Sequence, residues 1–170
     1  PPKGKLPSGK SADRINTAFK SWLTANGIAN GSLAVMQSGS LLAKFGYGTR
    51  KADAAVPVPS LTKAITAVCV STLVDSGRLA YTDTICSRLS AFLRANPPAD
   101  KNASSITVSQ LLRHRSRIGY DPTQSKNYSN ADSAQGTIAR DALSKTLTAR
   151  SDGTFFYNNA NYSLLSLIVK

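Results

Sequence analysis

The chain has one histidine and two cysteines. Each scarcity removes a class of mechanism. With His114 alone, a serine–histidine triad would have to be built on that residue, which sits at the end of a short helical pattern and suits helix termination better than catalysis. Neither a Gly-x-Ser-x-Gly elbow nor a His-Glu-x-x-His zinc helix occurs. Cys69 and Cys86 have no metal-ligand or redox-motif spacing, so no metal and no cofactor is expected. Cys69 lies in an apolar run, where a free buried thiol is the ordinary reading; a Cys69–Cys86 disulfide suits only an exported protein. Long apolar runs are also missing. The longest is broken by Pro57, Pro59 and Lys63, so no membrane span is expected. No signal peptide is legible, as in a mature exported chain.

Acidic residues are scarce as well. Nine Asp and Glu face 21 Lys and Arg, for a net charge of +12. That excess favours anionic partners but says nothing of fold. The charges are scattered apart from Lys3, Lys5 and Lys10 and the run Arg113–Arg117. Aromatics are not interleaved with them as base stacking requires, so nucleic acid is not an expected partner. The 41% hydrophobic share excludes wholesale disorder, and 170 residues suit one domain or part of a larger one.

Residues 1–10 read as a flexible basic tail. "GKLPSGKS", Gly4 to Ser11, matches the phosphate-binding P-loop pattern letter for letter. Here only Pro1, Pro2 and Lys3 precede it, and Pro7 has no N–H to offer, so a nucleotide site is not expected. From Ser11, Ile15, Ala18, Phe19, Trp22 and Leu23 form one helical face that Gly27 is placed to end. "GSLAVMQSGSLLAKFGYG" reads as a hairpin turning at Ser38–Gly39–Ser40. Ser60–Ser76 is an apolar helix closed by Gly77, and its composition predicts burial. Further helices are predicted over 85–95, from Thr107 with a capping box to Gln110, over 131–148, and from "ANYSLLSLIVK" to the end. The apolar residues of that last helix require a partner surface. One hairpin is a marginal sheet by itself.

Lys63 is the only charge between Asp53 and Asp75. Ser60 precedes it by one helical turn and shares its face. Ser60 reads most simply as an N-cap. The same position aims the helix's unpaired N–H groups at any charge that develops there. A lysine withdrawn from water loses its proton more easily and can then activate a neighbouring hydroxyl. In "FFYNNANYSLL", Tyr157 and Asn159 are two apart at a strand-to-helix junction and point the same way. A phenolate beside an ammonium can act as a general base, and an asparagine amide can grip another amide.

In this order the pieces resemble the penicillin-recognising serine hydrolases: class C β-lactamases, D-Ala-D-Ala peptidases and related esterases. "VPSLTKAITA" is similar to their Ser-x-x-Lys helix, "FFYNNANYSLLSLIV" to their Tyr-x-Asn segment, and "ITVSQLLRHRSRIGYD" to a stretch that usually reads "LLxHxSGL". The resemblance implies an α+β, β-lactamase/transpeptidase-like fold, with residues 11–170 the N-terminal part of one catalytic domain. It implies Ser60 as acylated nucleophile, its N–H as half an oxyanion hole, Lys63 as proton partner and Tyr157 as base. Asn159, Arg117 and Tyr120 would contact a small-molecule or peptide substrate: a β-lactam, a D-amino-acid peptide or an ester. The resemblance also implies an exported protein. Arg117 stands where the family has glycine. The Lys-Thr-Gly strand motif is absent, since Lys145-Thr146-Leu147 precedes the tyrosine. These departures lead to the expectation of a second polypeptide that supplies the C-terminal half and its sheet strands. A non-catalytic binding or sensor relative, or a basic anion-binding protein, are the alternatives.

Overall fold

A computed structural model describes residues 10–128, 132–148 and 153–170. The chain forms two compact units, residues 1–57 and 58–170. The fold is α+β, with one two-stranded sheet and several helices among the described residues.

In the first unit, helix α1 (Lys10–Ala25) carries Asp13 in its first turn, where a carboxylate suits the helix dipole. Gly27, at φ 64°, ends it. Strands β1 (Gly31–Gln37) and β2 (Ser40–Tyr47) pair antiparallel, with a register irregularity between Val35 and Met36. Their two-residue turn has φ 48° at Ser38 and 77° at Gly39, the left-handed pair that a tight hairpin needs. Helix and hairpin meet where Phe19 packs on Tyr47 at 5.1 Å, while the Tyr47 hydroxyl donates to Asn16 Oδ1 at 2.6 Å. Leu23 is buried, but Ala18 and Trp22 are exposed, so only part of the predicted apolar face is covered. The tail and most of the P-loop-like stretch fall outside the described residues. Lys10 already belongs to α1.

The second unit is helical. A 3-10 turn (Pro59–Leu61) leads into α2 (Thr62–Asp75). Gly77 closes α2 at φ 70°, donating to Val74 O at 2.9 Å. The helix expected over 85–95 is two helices, α3 (Ile85–Arg88) and α4 (Ser90–Ala95), parted at Leu89. Helix α5 (Val108–Leu112) opens with the expected Thr107–Gln110 capping box. Helix α6 (Asp132–Leu143) is shorter than its pattern. Helix α7 (Asn159–Ile168) is the centre of the core and packs against α2, α5 and α6. Ala160, Leu164 and Leu165 are fully buried among Val70, Ile85, Val108, Leu111 and Ala139. Each such leucine contributes about 1.5–3 kcal/mol. The apolar end of the chain thus finds much of its partner surface within this unit: Leu167, Ile168 and Val169 pack on the same core, partly buried.

Two expectations fail on α2. It is not an interior helix. Only Val70 is buried on it, and Leu61, Ile65 and Val68 are 72%, 61% and 66% exposed. Apolar composition drives burial only where a surface is there to receive it. Cys69 is exposed for the same reason, not buried, and Cys69 and Cys86 are both free thiols. No helix among the described residues is long and apolar enough to cross a membrane.

Asp141 on α6 fastens the preceding segment to the core. It accepts from Lys126 Nζ and the Tyr128 hydroxyl, each at 2.9 Å, and from the Arg140 guanidinium. The Lys126 ammonium, chiefly, holds its carboxyl at about 2. A depressed carboxylate stabilises the fold above its unfolded value of ~3.9 and ceases to do so as pH falls through the folded value. Asp141→Asn should therefore lower stability by roughly 1 kcal/mol at pH 6, allowing for solvent screening, with the difference vanishing near pH 2. Thermal melts of both proteins across that range would show it; an equal deficit at both ends would disprove the assignment.

Candidate active site

Ser60 does not cap a helix. Pro59 starts a 3-10 turn rather than α2 itself, α2 begins two residues after Ser60, and its N-cap, Leu61, makes no side-chain cap bond. The Ser60 side chain is left to project. Its Oγ lies 2.7 Å from the Tyr157 hydroxyl oxygen and accepts from Lys63 Nζ at 3.3 Å. Lys63 also donates to Asn159 Oδ1 at 2.7 Å. Its ammonium lies 4.9 Å from the Tyr157 ring centroid and 5.6 Å from that of Tyr162, within cation–π range. The structure brings Ser60, Lys63, Tyr157 and Asn159 into one cluster on the rim of the second unit. A cavity of about 740 Å³ adjoins it, lined by Ser60, Lys63, Thr123, Lys126, Asn159 and Tyr162 among others.

Tyr157 and Asn159 owe their places to the start of α7. Asn158 is its N-cap, extended at φ −151°, and its Oδ1 accepts from Ala160 N at 2.8 Å. The extended backbone before the cap swings Tyr157 out towards α2; Asn159 is the first residue of the helix. Asn158 is fully buried and its Nδ2 donates to Ile118 O and Tyr120 O, at 3.0 and 3.1 Å. Asn159 is tied down in turn. Its N–H donates to Asp121 Oδ2 at 3.0 Å and its Nδ2 to Thr123 Oγ1 at 2.8 Å. Both ends of the Asn159 amide are engaged within the protein, so it orients Lys63 in this state. Asp121 also accepts from Thr123 N and Oγ1, capping the 3-10 turn Pro122–Gln124.

The Tyr157 phenol is 44% exposed. The Lys63 ammonium, first, and the Ser60 hydroxyl stabilise its anion and hold its pKa below the usual phenol value. A hydroxyl against a phenol of lowered pKa, with a cation beside both, can lose its proton and become a nucleophile. Lys63 is half-buried rather than sealed from water.

The two other candidates lie elsewhere. Arg117 Nε and Nη2 donate to Thr148 O at 3.1 and 3.0 Å. Its backbone is left-handed, at φ 65°, the geometry for which glycine is the easy choice. Tyr120 places its hydroxyl 3.4 Å from Ser125 Oγ, and only its carbonyl serves the cluster, through Asn158. Sequence reading also missed four supports: His114, Asp121, Thr123 and Asn158. "DPT", Asp121–Thr123, carried a signal, since Asp before Pro is a common way to open a helical turn. Asn158 stands just before the last helix, where asparagine is a favoured cap, and that was its signal.

This architecture is that of the β-lactamase-like proteins. The chain belongs to the beta-lactamase family: the family's sequence pattern, described as Beta-lactamase, matches residues 15–170. It is 27% identical over 168 residues to Protein flp of Staphylococcus aureus, covering 94% of this chain and 33% of that protein. A structure described as a putative beta-lactamase from Bacteroides dorei superposes with a TM-score of 0.71 at 23% identity, over 92% of this chain and 45% of that one. FmtA from Staphylococcus aureus gives 0.70 at 20% identity, over 99% and 47%. A class C beta lactamase gives 0.64 at 20%, over 96% and 46%. The chain thus spans about a third of its curated relatives and under half of these solved structures.

Asn158→Ala should cost ~2–4 kcal/mol, since two buried carbonyls lose their donor and α7 loses its cap. Urea unfolding monitored by circular dichroism measures this. A loss below ~1 kcal/mol would show that the carbonyls find other donors.

Proposed function

We propose that this chain is the nucleophile-bearing part of a serine hydrolase that forms an acyl-enzyme on an amide or ester. One observation carries the reading: the Ser60 hydroxyl sits at once against the Tyr157 hydroxyl and the Lys63 ammonium, at 2.7 and 3.3 Å. Tyr157, as phenolate, takes the Ser60 proton while Oγ bonds to the substrate carbonyl carbon. The tetrahedral oxyanion collapses, the bond to the leaving amine or alcohol breaks, and Tyr157 returns the proton to that group. Water then attacks the acyl carbonyl and gives a proton to Tyr157, which passes it to Ser60 as the acid departs. Lys63 stays charged throughout, holding Ser60 in place and stabilising the phenolate. The Ser60 N–H supplies one oxyanion donor.

The substrate classes that fit are a β-lactam, a D-amino-acid peptide or an ester, taken in the cavity beside Ser60. The setting that suits them is outside the cytoplasm. The rest of the cleft and of the sheet comes from a second polypeptide segment. The exposed apolar face of α2, Leu61, Ile65 and Val68, supports this, as does the share of its relatives that the chain spans.

A fluorophosphonate or fluorescent penicillin should add to the complete protein, partner segment included, by intact mass, and Ser60→Ala should abolish the adduct. No adduct on the complete protein would end the proposal. The pH dependence carries a sign. The phenolate is the active form and exists above the Tyr157 pKa, so labelling should rise with pH to a midpoint below 10.0 and fall away in acid. Tyr157→Phe should slow labelling by roughly 10²–10⁴-fold and erase that limb. Lys63→Met should move the midpoint upward, because the ammonium is the main cause of the depression.

A further inference from the structure

His114 is the chain's single histidine and does not touch Ser60, yet it surrounds the residue that does. It is 7% exposed. Its carbonyl accepts from Phe156 N at 2.8 Å and its Nδ1 from Asn158 N at 3.2 Å, so one residue grips the backbone on both sides of Tyr157. Its ring stacks on the Tyr157 ring, centroids 4.5 Å apart and planes 29° apart. Its own backbone is left-handed at φ 53°, just after α5, where His114 N donates to Leu111 O and Arg115 N to Gln110 O. Glycine would suit that helix end better. A histidine there is explained by what its imidazole does.

The proton positions on that imidazole follow from its neighbours. Ile118 N–H donates to Ser116 Oγ at 3.2 Å, and Ser116 donates to Asn161 Oδ1 at 2.6 Å. That fixes the Asn161 amide with Nδ2 towards His114 Nδ1, at 3.2 Å. The Asn158 backbone N–H also points at Nδ1. Two N–H donors converge on one ring nitrogen, which must then be a bare acceptor, and the neutral ring carries its proton on Nε2.

We propose that His114 is a positioning residue for Tyr157: a neutral imidazole, acceptor at Nδ1, that clamps the tyrosine ring and backbone against Ser60 and releases them when Nδ1 is protonated. A proton on Nδ1 would face two N–H groups and cost both bonds. The charged groups around it oppose one another. Lys63 on α2 repels an imidazolium and Asp121, at the start of the Pro122–Gln124 turn, favours one, while the neighbouring phenols Tyr157 and Tyr162 are neutral in acid. Burial, first, and Lys63 prevail, so the ring stays neutral at physiological pH and charges only below its usual value. This inference rests on reading Tyr157 as the base, but its principal test does not use activity.

With one histidine, nitrogen-15 imidazole spectra of the untagged full chain contain one residue's signals. The expected result is the Nε2–H tautomer at neutral pH and a midpoint below 6.5, with the Tyr157 ring signals shifting at that same midpoint. An Nδ1–H tautomer, or Tyr157 signals blind to the histidine titration, would overturn the proposal. Asn161→Asp puts an acceptor opposite Nδ1. It should switch the tautomer, raise the midpoint above 6.5, and slow fluorophosphonate labelling on the order of tenfold or more at pH 7, with half-saturating probe concentration unchanged. A switched tautomer with an unaltered labelling rate would also refute it. If the complete protein, partner segment included, is never labelled, the acyl-enzyme reading falls, while the tautomer and the coupled tyrosine shift still decide whether His114 holds Tyr157. Should Asn161→Asp fail to fold, the wild-type titration alone decides.

Discussion

The Lys63 ammonium holds this site together. It has no carboxylate in ion-pair range among the described residues. It is held by a hydroxyl, an amide oxygen and two aromatic faces. Such partners stabilise a cation without neutralising it, so its field remains available to Ser60 and Tyr157. The same contacts join the first turn of α2 to the first turn of α7. Removing this one charge would loosen a helix–helix contact and the hydroxyl pair together. Everything else near the rim serves to keep the ammonium's partners fixed: Asp121 and Thr123 hold Asn159, and Asn158 holds the loop that carries Tyr120.

Much of this was legible in the sequence, for reasons that differ from residue to residue. Ser60 and Lys63 were readable because a spacing of three on a helical turn fixes a shared side whatever surrounds it. The Thr107–Gln110 box was readable because both partners are local. The burial of α2 was not, because burial belongs to the surface opposite, and composition reports only the demand for one. The N-cap alternative for Ser60 fails because Pro59 fits a 3-10 turn as readily as a first helical turn. Arg117 and Tyr120 were assigned by analogy with a stretch that carries glycine, and the arginine's left-handed backbone sends its guanidinium to Thr148 instead. His114 was recognised as a helix end and nothing more, since its side-chain partners come from residues 155 to 162, about 45 positions on, in a fold that spacing does not encode.

The fold and the chemistry are distributed unevenly. The buried mass of the second unit lies around α5, α6 and α7, and it is complete enough to enclose fully satisfied polar groups such as Asn158 and Asn161. The helix that follows Ser60, α2, lies at its edge, with one side on the core and one apolar side open. The tyrosine thus stands on a rigid base and the serine on a less supported one. The precision of the pair depends on how firmly the buried side of α2 holds that helix to the core.

The left-handed backbone at His114 has an evolutionary consequence. At the end of α5 a glycine would relax the backbone. A glycine would also delete the ring beneath Tyr157 and the acceptor of two buried N–H groups. Backbone relief and buried hydrogen bonding therefore pull this codon in opposite directions. Relatives that keep an amide at position 161 should retain the imidazole and its strained turn.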